Sequence, residues 1–310
     1  MKMPRAILLG PQRFRPNVAA ALDWLGRDGP LALVSAGWQE REDEIDEFVE
    51  HCRREVVPLG LYHRAERALA RDELLTAALR ERQDQLRELQ GLYRVRLASL
   101  LEAARSLMRR GDGRFVDEHR KAAIRAVRTL DRQHLVRIRE IHDEFERRVR
   151  PGAHPSVRAE REELQQLVGR CSVIAIAGGH VAVLLNRLRL FDVLGLAADR
   201  PVVAWSAGAM ALGERVILFH DSPPQGPGDA EVFEPGLGLY RGLVPLPHAS
   251  ERLALDDPLR VALFSRRFAP ASSVTLEYGS RVDWSGDRWV ARGEVGLLGR
   301  SGRLRRMRPD

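Results

Sequence analysis

Residues 201–212 read PVVAWSAGAMAL. An apolar strand runs straight into Ser206, and the small residues Ala207, Gly208 and Ala209 follow before a helix begins. Small side chains let a backbone turn sharply, so the serine hydroxyl would stand out above the end of a sheet. The N–H of Ala207, at the start of the helix, would then face a developing oxyanion. The pattern is A-x-S-x-G, one residue removed from the G-x-S-x-G nucleophile elbow. A serine that merely caps the following helix is the plainer alternative.

Working outward, the strand at 201–205 belongs to a regular alternation. Apolar runs at 6–9 (AILL), 31–35 (LALVS), 56–62 (VVPLGLY) and 172–177 (SVIAIA) read as buried strands. Helical patterns lie between them, at 17–25 with Asn17 as N-cap, at 40–50 and at 181–197. Strands alternating with helices predict an α/β fold, a mostly parallel sheet with helices on its faces. After residue 215 the chain becomes strand-rich, with VILF, GLGLY, LVPL, SVTLEY and RWVARGEVGLL as candidates.

From about 64 to 168 this rhythm stops. Leucines recur near helical spacing with charge between them, Gly111-Asp112-Gly113 breaks the run, and a second long pattern extends from Phe115 to about Arg150. Two helices of nearly 40 residues, each roughly 60 Å long, predict an αα-hairpin that projects from the α/β body or folds across it. Residues 156–168 add a shorter helix. The expected organisation is a first part of the α/β domain at 1–66, a helical insertion at 67–168, and a second part at 169–310 that carries the catalytic elements.

The 310 residues hold 50 Lys+Arg and 43 Asp+Glu, a net charge of +7. Hydrophobic content of 44% excludes disorder for most of the chain. The basic excess is local. Residues 61–150 carry 22 basic and 15 acidic side chains, which leaves the remainder balanced. The base is nearly all arginine, with only Lys2 and Lys121, a bias that weakens any argument for nucleic acid. Cys52 and Cys171 are too few for a disulfide framework and are expected as buried, inert thiols. No apolar run approaches about 18 residues and the N-terminal run is too short for a signal peptide, so a cytoplasmic protein without membrane partners is expected. No metal-ligand spacing or complete phosphate loop appears, and no cofactor is expected.

A serine nucleophile needs a base and an acid to orient it. His248, in LVPLPHASERL, follows an apolar stretch whose end would present it, and Asp221, in VILFHDSPP, lies between an apolar strand and a Pro-Pro turn. At 175–185, AIAGGHVAVLL, a buried strand ends in Gly178-Gly179 before a helix, giving a backbone free to approach a ligand. The plainer account of the glycine pair is close helix–strand packing. His180 either contacts substrate or bonds locally.

Taken together, AGGHVAVLLNRL, PVVAWSAGAMALGERVILFHDSPP and FEPGLGLYRGLVPLPHA resemble the serine-peptidase family of aspartyl dipeptidase and cyanophycinase, in the class I glutamine-amidotransferase-like superfamily. The resemblance covers about 1–67 and 168–300, and W-S-A-G-A at 205–209 matches outright. It implies a three-layer α/β sandwich, with Ser206 as nucleophile, His248 as general base, and the N–H groups of Gly179 and Ala207 as the oxyanion hole. Gly178 and His180 would touch substrate. Asp221, 15 residues after Ser206, is the first choice of acid. Glu277 in SVTLEYGS is the alternative. The chain departs from the family at His180, where an Asn is usual, at Ala204, where a Gly is usual, and in its long helical stretch.

The expectation is a serine hydrolase acting on a peptide or small-molecule amide, with Arg187, Arg189 and Arg241 as candidate readers of a substrate carboxylate. The alternative is a catalytically silent interaction protein of the same fold that binds a partner, or forms a homodimer, through its basic helical arm.

Overall fold

Short apolar strands joined by helices form the centre of the molecule, as the alternation requires. The computed structural model describes residues 6–197, 200–221, 228–284 and 288–307. In chain order the first part comprises β1 (Ala6–Leu9), α1 (Val18–Leu25), β2 (Leu31–Val34), α2 (Asp46–Cys52), β3 (Val56–Pro58) and α3 (Leu61–Ala70). Two long helices follow, α4 (Glu73–Arg109) and α5 (Arg114–Val149), and then α6 (Pro155–Gly169). The α/β rhythm returns with β4 (Val173–Ile176), α7 (Val181–Leu190), α8 (Val193–Leu196), β5 (Val202–Trp205) and α9 (Ala207–Ala211). The remainder is β6 (Arg215–Leu218), β7 (Glu231–Pro235), β8 (Leu243–Pro247), α10 (Ala249–Arg252), α11 (Pro258–Phe268), β9 (Ser272–Leu276), β10 (Arg281–Trp284), β11 (Trp289–Arg292), β12 (Gly296–Leu298) and β13 (Leu304–Arg306).

Among the described residues the main sheet has seven strands in the order β11-β10-β1-β5-β4-β2-β3. The five strands from β1 to β3 in that order are parallel, and β10 and β11 add an antiparallel edge. Side chains alternate across a strand, so Ile7, Leu31, Leu33, Val173 and Val203 meet α1 and α2 on one face. Leu8, Ala32, Val34, Ile174 and Ile176 meet the other helices on the opposite face. A second sheet, β13-β12-β9-β8, and the antiparallel pair β6-β7 flank this body.

The helical stretch is an antiparallel hairpin. Asp72 caps α4 by accepting from Leu75 N at 2.9 Å, and Arg120 closes the turn by donating to Leu107 O at 3.0 Å. Leu75, Leu86, Tyr93, Leu97, Leu101 and Ala104 form one buried stripe at helical spacing along α4. All of that stripe but Leu86 belongs to the same core as the sheet, so the hairpin lies folded across the body.

A buried polar cluster fixes the dock. Arg267 of α11 grips Asp131 of α5 with both Nε and Nη2 at 2.8 Å, and Tyr93 OH donates to Asp131 at 2.8 Å. Arg267 also donates to Ala230 O at 2.6 Å, and Val232 N donates to Tyr93 OH at 3.1 Å. His134 stacks on Tyr93 with ring centroids 4.0 Å apart and bonds Gln90 Oε1 at 2.8 Å. The periodicity of α5 gave no hint of Asp131 or His134, because a polar residue on a buried stripe reads as an interruption.

Other boundaries differ from the expectation for local reasons. The run at 56–62 is a strand only to Pro58, because Gly60 takes φ 59° and turns the chain into α3. The pattern at 40–50 is the end of a 3₁₀ segment (Ala36–Arg41) and the start of α2. GLGLY at 236–240 is a turn, and the strand lies just before it in β7. Helix 181–197 breaks into α7 and α8 at Asp192, which has φ 49°. Asn17 occupies the cap position of α1 but makes no capping bond, and instead donates to Gly279 O at 3.0 Å. Cys52 and Cys171 are buried free thiols, each with its pKa pushed up by burial. Among the described residues no helix is long and apolar enough to cross a membrane.

Burial pushes the His134 pKa down to about 4, against an ordinary value of 6.5, while Asp131 and Glu231 oppose the shift. A base whose folded pKa is depressed takes up more protons in the unfolded chain, so stability falls as pH drops from about 6.5 towards 4. The full effect is on the order of 3 kcal/mol. Thermal unfolding across this range should show a fall in Tm for the wild type and a flatter profile for His134→Gln. Equal slopes would contradict the linkage.

Candidate active site

The parallel strands end together, and the residues just beyond their carboxyl ends build the site, where open α/β sheets hold their ligands. Ser206 follows β5 directly and has φ 51° and ψ −122°, a conformation that costs a non-glycine residue roughly 1–3 kcal/mol. Its hydroxyl makes no capping bond to α9, so the helix-cap reading fails. The strain persists because two backbones meet there. A Cβ on Gly178 would sit 2.7 Å from Ser206 Cβ, and one on Gly208 would sit 2.3 Å from Ile176 O. Glycine at both positions lets the β4 loop and the start of α9 lie flush against each other.

The loop after β4 carries three of the expected residues. Gly178 is buried beside the serine, its Cβ position 3.5 Å from Ala207 N. Gly179 has φ 104°. Among the described residues, the N–H groups of Gly179 and Ala207 donate to nothing. His180 is exposed, and its Nδ1 accepts from Val183 N at 3.3 Å, which makes it the cap of α7. Gly37, just after β2, completes the corner by accepting from His180 N at 2.7 Å.

The expected base and acids come from the second sheet. β8 and β9 run parallel with Pro247 opposite Leu276, so the next residues, His248 and Glu277, leave the sheet side by side. His248 takes φ 55°, and its N donates to Leu276 O at 3.3 Å. Its ring meets Tyr278 edge-on with centroids 5.5 Å apart. Its Nδ1 is buried without a hydrogen bond, 3.4 Å from Glu251 Oε2. Glu277 accepts from Ser250 N at 2.9 Å and Ser250 Oγ at 3.0 Å. The loop after Glu277 reaches the serine's end of the main sheet, where Gly10 N donates to Ser280 O at 2.9 Å and Leu9 pairs with Trp205.

Asp221 lies in a different environment. It forms an ion pair with Arg260, accepts from Ala254 N at 2.8 Å, and its own N donates to Arg252 O at 2.8 Å. These bonds tie down the segment that follows His248. Arg187 and Arg189 are turned to Glu66 at 2.7 Å and Glu234 at 2.5 Å, and Arg241 is exposed. Among the described residues no hydrogen bond joins Ser206 to His248, and no group of three His, Cys, Asp or Glu is placed to hold a metal. Sequence reasoning missed Gly37, Glu251 and Tyr278. The repeated strand-then-glycine pattern was the available signal for Gly37, and the i, i+3 spacing from His248 was the one for Glu251.

No protein-family model matches the chain, and no curated protein does. A solved structure does match, the crystal structure of a peptidase from an acI-B1 Actinobacterium. It superposes with a TM-score of 0.51 at 12% identity, over 98% of this chain and 94% of that one. The likeness is one of fold. The mixed α/β sandwich with a mostly parallel sheet is thus an architecture that a peptidase also uses.

The elbow geometry has a stability signature. Ser206→Ala should change stability by less than about 0.5 kcal/mol, whereas loss of a working cap costs about 1 kcal/mol. Ser206→Gly should raise stability by up to about 1 kcal/mol by relieving the positive φ. Denaturant unfolding of both variants checks this, and a loss of about 1 kcal/mol or more in Ser206→Ala with no gain in Ser206→Gly would restore the capping role.

Proposed function

We propose that the protein is a serine-type hydrolase of peptide or isopeptide amide bonds, of the aspartyl dipeptidase and cyanophycinase kind. The observation that carries this reading is Ser206 itself, a strained residue at a strand end with an uncommitted hydroxyl, flanked by the two undonated N–H groups of Gly179 and Ala207. A backbone that stores strain at one serine and leaves neighbouring donors unused is arranged for attack on a carbonyl.

In this mechanism His248 takes the proton from Ser206 Oγ as the oxygen bonds to the carbonyl carbon. The carbonyl oxygen becomes an oxyanion held by the Gly179 and Ala207 N–H groups. His248 then delivers the proton to the departing amine as the C–N bond breaks, leaving an acyl group on Ser206. A water molecule then attacks the acyl carbon as His248 takes its proton, and His248 returns that proton to Ser206 Oγ as the ester C–O bond breaks and the acid leaves. In this reading the imidazole must bond the hydroxyl in the substrate complex, where catalytic hydrogen bonds tighten.

The orienting acid in this reading is Glu277. It leaves the sheet beside His248; both its carboxylate oxygens accept from Ser250, as both of Asp221 accept from Arg260 and Ala254 N, so its place next to the imidazole is what favours it. Asp221 then acts as a positioning residue for the turn after His248. A role of the hairpin as a dimerisation arm has less support, because its main apolar stripe is spent on its own body.

A fluorophosphonate probe should label the wild type on Ser206 and leave Ser206→Ala unlabelled. His248→Gln and Glu277→Gln should slow labelling by about 10²–10⁴-fold, as loss of a triad member does, and Asp221→Asn by a smaller factor. A correctly folded wild type that resists the probe would overturn the reading, and a larger effect at Asp221 than at Glu277 would reverse the choice of acid.

A further inference from the structure

Three arginines are buried among the described residues, Arg82, Arg267 and Arg281. Two of them have the partner that burial demands, Arg267 on Asp131 and Arg281 on Asp283. Arg82 of α4 has no carboxylate within ion-pair distance, although it is only 8% exposed. Its one hydrogen bond is a neutral one, from Nη2 to Asn186 Oδ1 at 3.1 Å, and its guanidinium lies over the Phe145 ring at 4.4 Å. Its Nε is buried without a partner, and so is Nε of the neighbouring Arg187. Glu234 and Glu146 act on this guanidinium only through space, and with one of five donors used on an amide most of its hydrogen-bonding capacity is unspent.

This arginine lines a cavity of about 120 Å³ between the hairpin and α7. Arg187, Arg189 and Asn186 of α7 line it too, with Glu146 of α5 as the carboxylate on the wall. Arg189 is committed to Glu234 and Pro235 O and Arg187 pairs with Glu66 through Nη2, which leaves the Nε of Arg187 and most donors of Arg82 unused. A volume of that size equals about four water molecules and accommodates one small oxyanion.

We propose that this cavity binds a small oxyanion, a carboxylate or a phosphate group, gripped by Arg82 and Arg187 beside Asn186. The planar fork of a guanidinium matches the paired oxygens of either group. Bound there, the anion bridges α4 to α7, the helix that follows the Gly178-Gly179 loop. The inference is independent of the hydrolase reading.

Thermal unfolding at constant ionic strength tests it, with sodium phosphate and sodium acetate each compared with sodium chloride. Phosphate, acetate or both should raise Tm by about 3 °C over chloride at millimolar concentration, rising with the logarithm of concentration. A response to phosphate alone identifies a phosphoryl group, and a response to acetate alone a carboxylate. Arg82→Gln should abolish the response, and Glu146→Gln should keep or enlarge it by removing a competing charge. Should Arg82→Gln fail to fold, Asn186→Ala serves, with the response cut at least severalfold. The proposal is overturned if chloride matches both anions or if the variant tested keeps the full response. It is equally overturned if Glu146→Gln abolishes the response, for Glu146 would then be the counter-ion of Arg82.

Discussion

Two backbones approach so closely at the ends of β4 and β5 that no Cβ fits between them, and the rest of the site depends on that contact. Gly178 lies flush with Ser206, and Gly208 lies against the carbonyl of Ile176. With side chains excluded there, the chain after β5 turns through a positive φ at Ser206. The same turn leaves the Ala207 N–H at the corner with no internal partner. Strain of this kind persists only where the surroundings over-determine it. Here the surroundings are a parallel sheet packed on both faces.

The hairpin is held to that sheet by polar chemistry as well as by its leucines. The Arg267–Asp131 pair with Tyr93 is buried and fully bonded, and removing one partner of such a pair costs about 3–5 kcal/mol. Around it, arginines of α4 reach acids of the body, Arg94 to Glu231 and Arg105 to Asp229. Arg260 joins Asp229 to Asp221, so one chain of charges runs from the hairpin to the segment behind His248. Part of the hairpin's basic excess is therefore answered within the molecule.

Much of this was legible in the sequence. Buried parallel strands are short apolar runs, and each of the five parallel strands was visible as one, as was the serine between a strand and small residues. The hairpin was legible from leucine spacing because its stripe is apolar over most of its length. Its dock was not, since Asp131 finds its partners in Arg267 and Tyr93 and His134 in Gln90 and Tyr93, long-range contacts that local periodicity cannot encode. Asp221 shows the same limit. Its place in the sequence suits a triad acid, but its environment is decided by Arg260, 39 residues away. The nearness of Glu277 to His248 comes only from the β8–β9 register, a pairing that sequence separation hides.

The central claim is that Ser206 is a nucleophile activated by His248. Active-site titration with an activated p-nitrophenyl ester tests it most directly, read as the burst of p-nitrophenol and the mass of the protein after quenching. The account predicts a burst approaching one equivalent per chain, an acyl adduct on Ser206, and an acylation rate that falls in His248→Gln. Release no faster than in buffer, or an adduct that survives in Ser206→Ala, would contradict it.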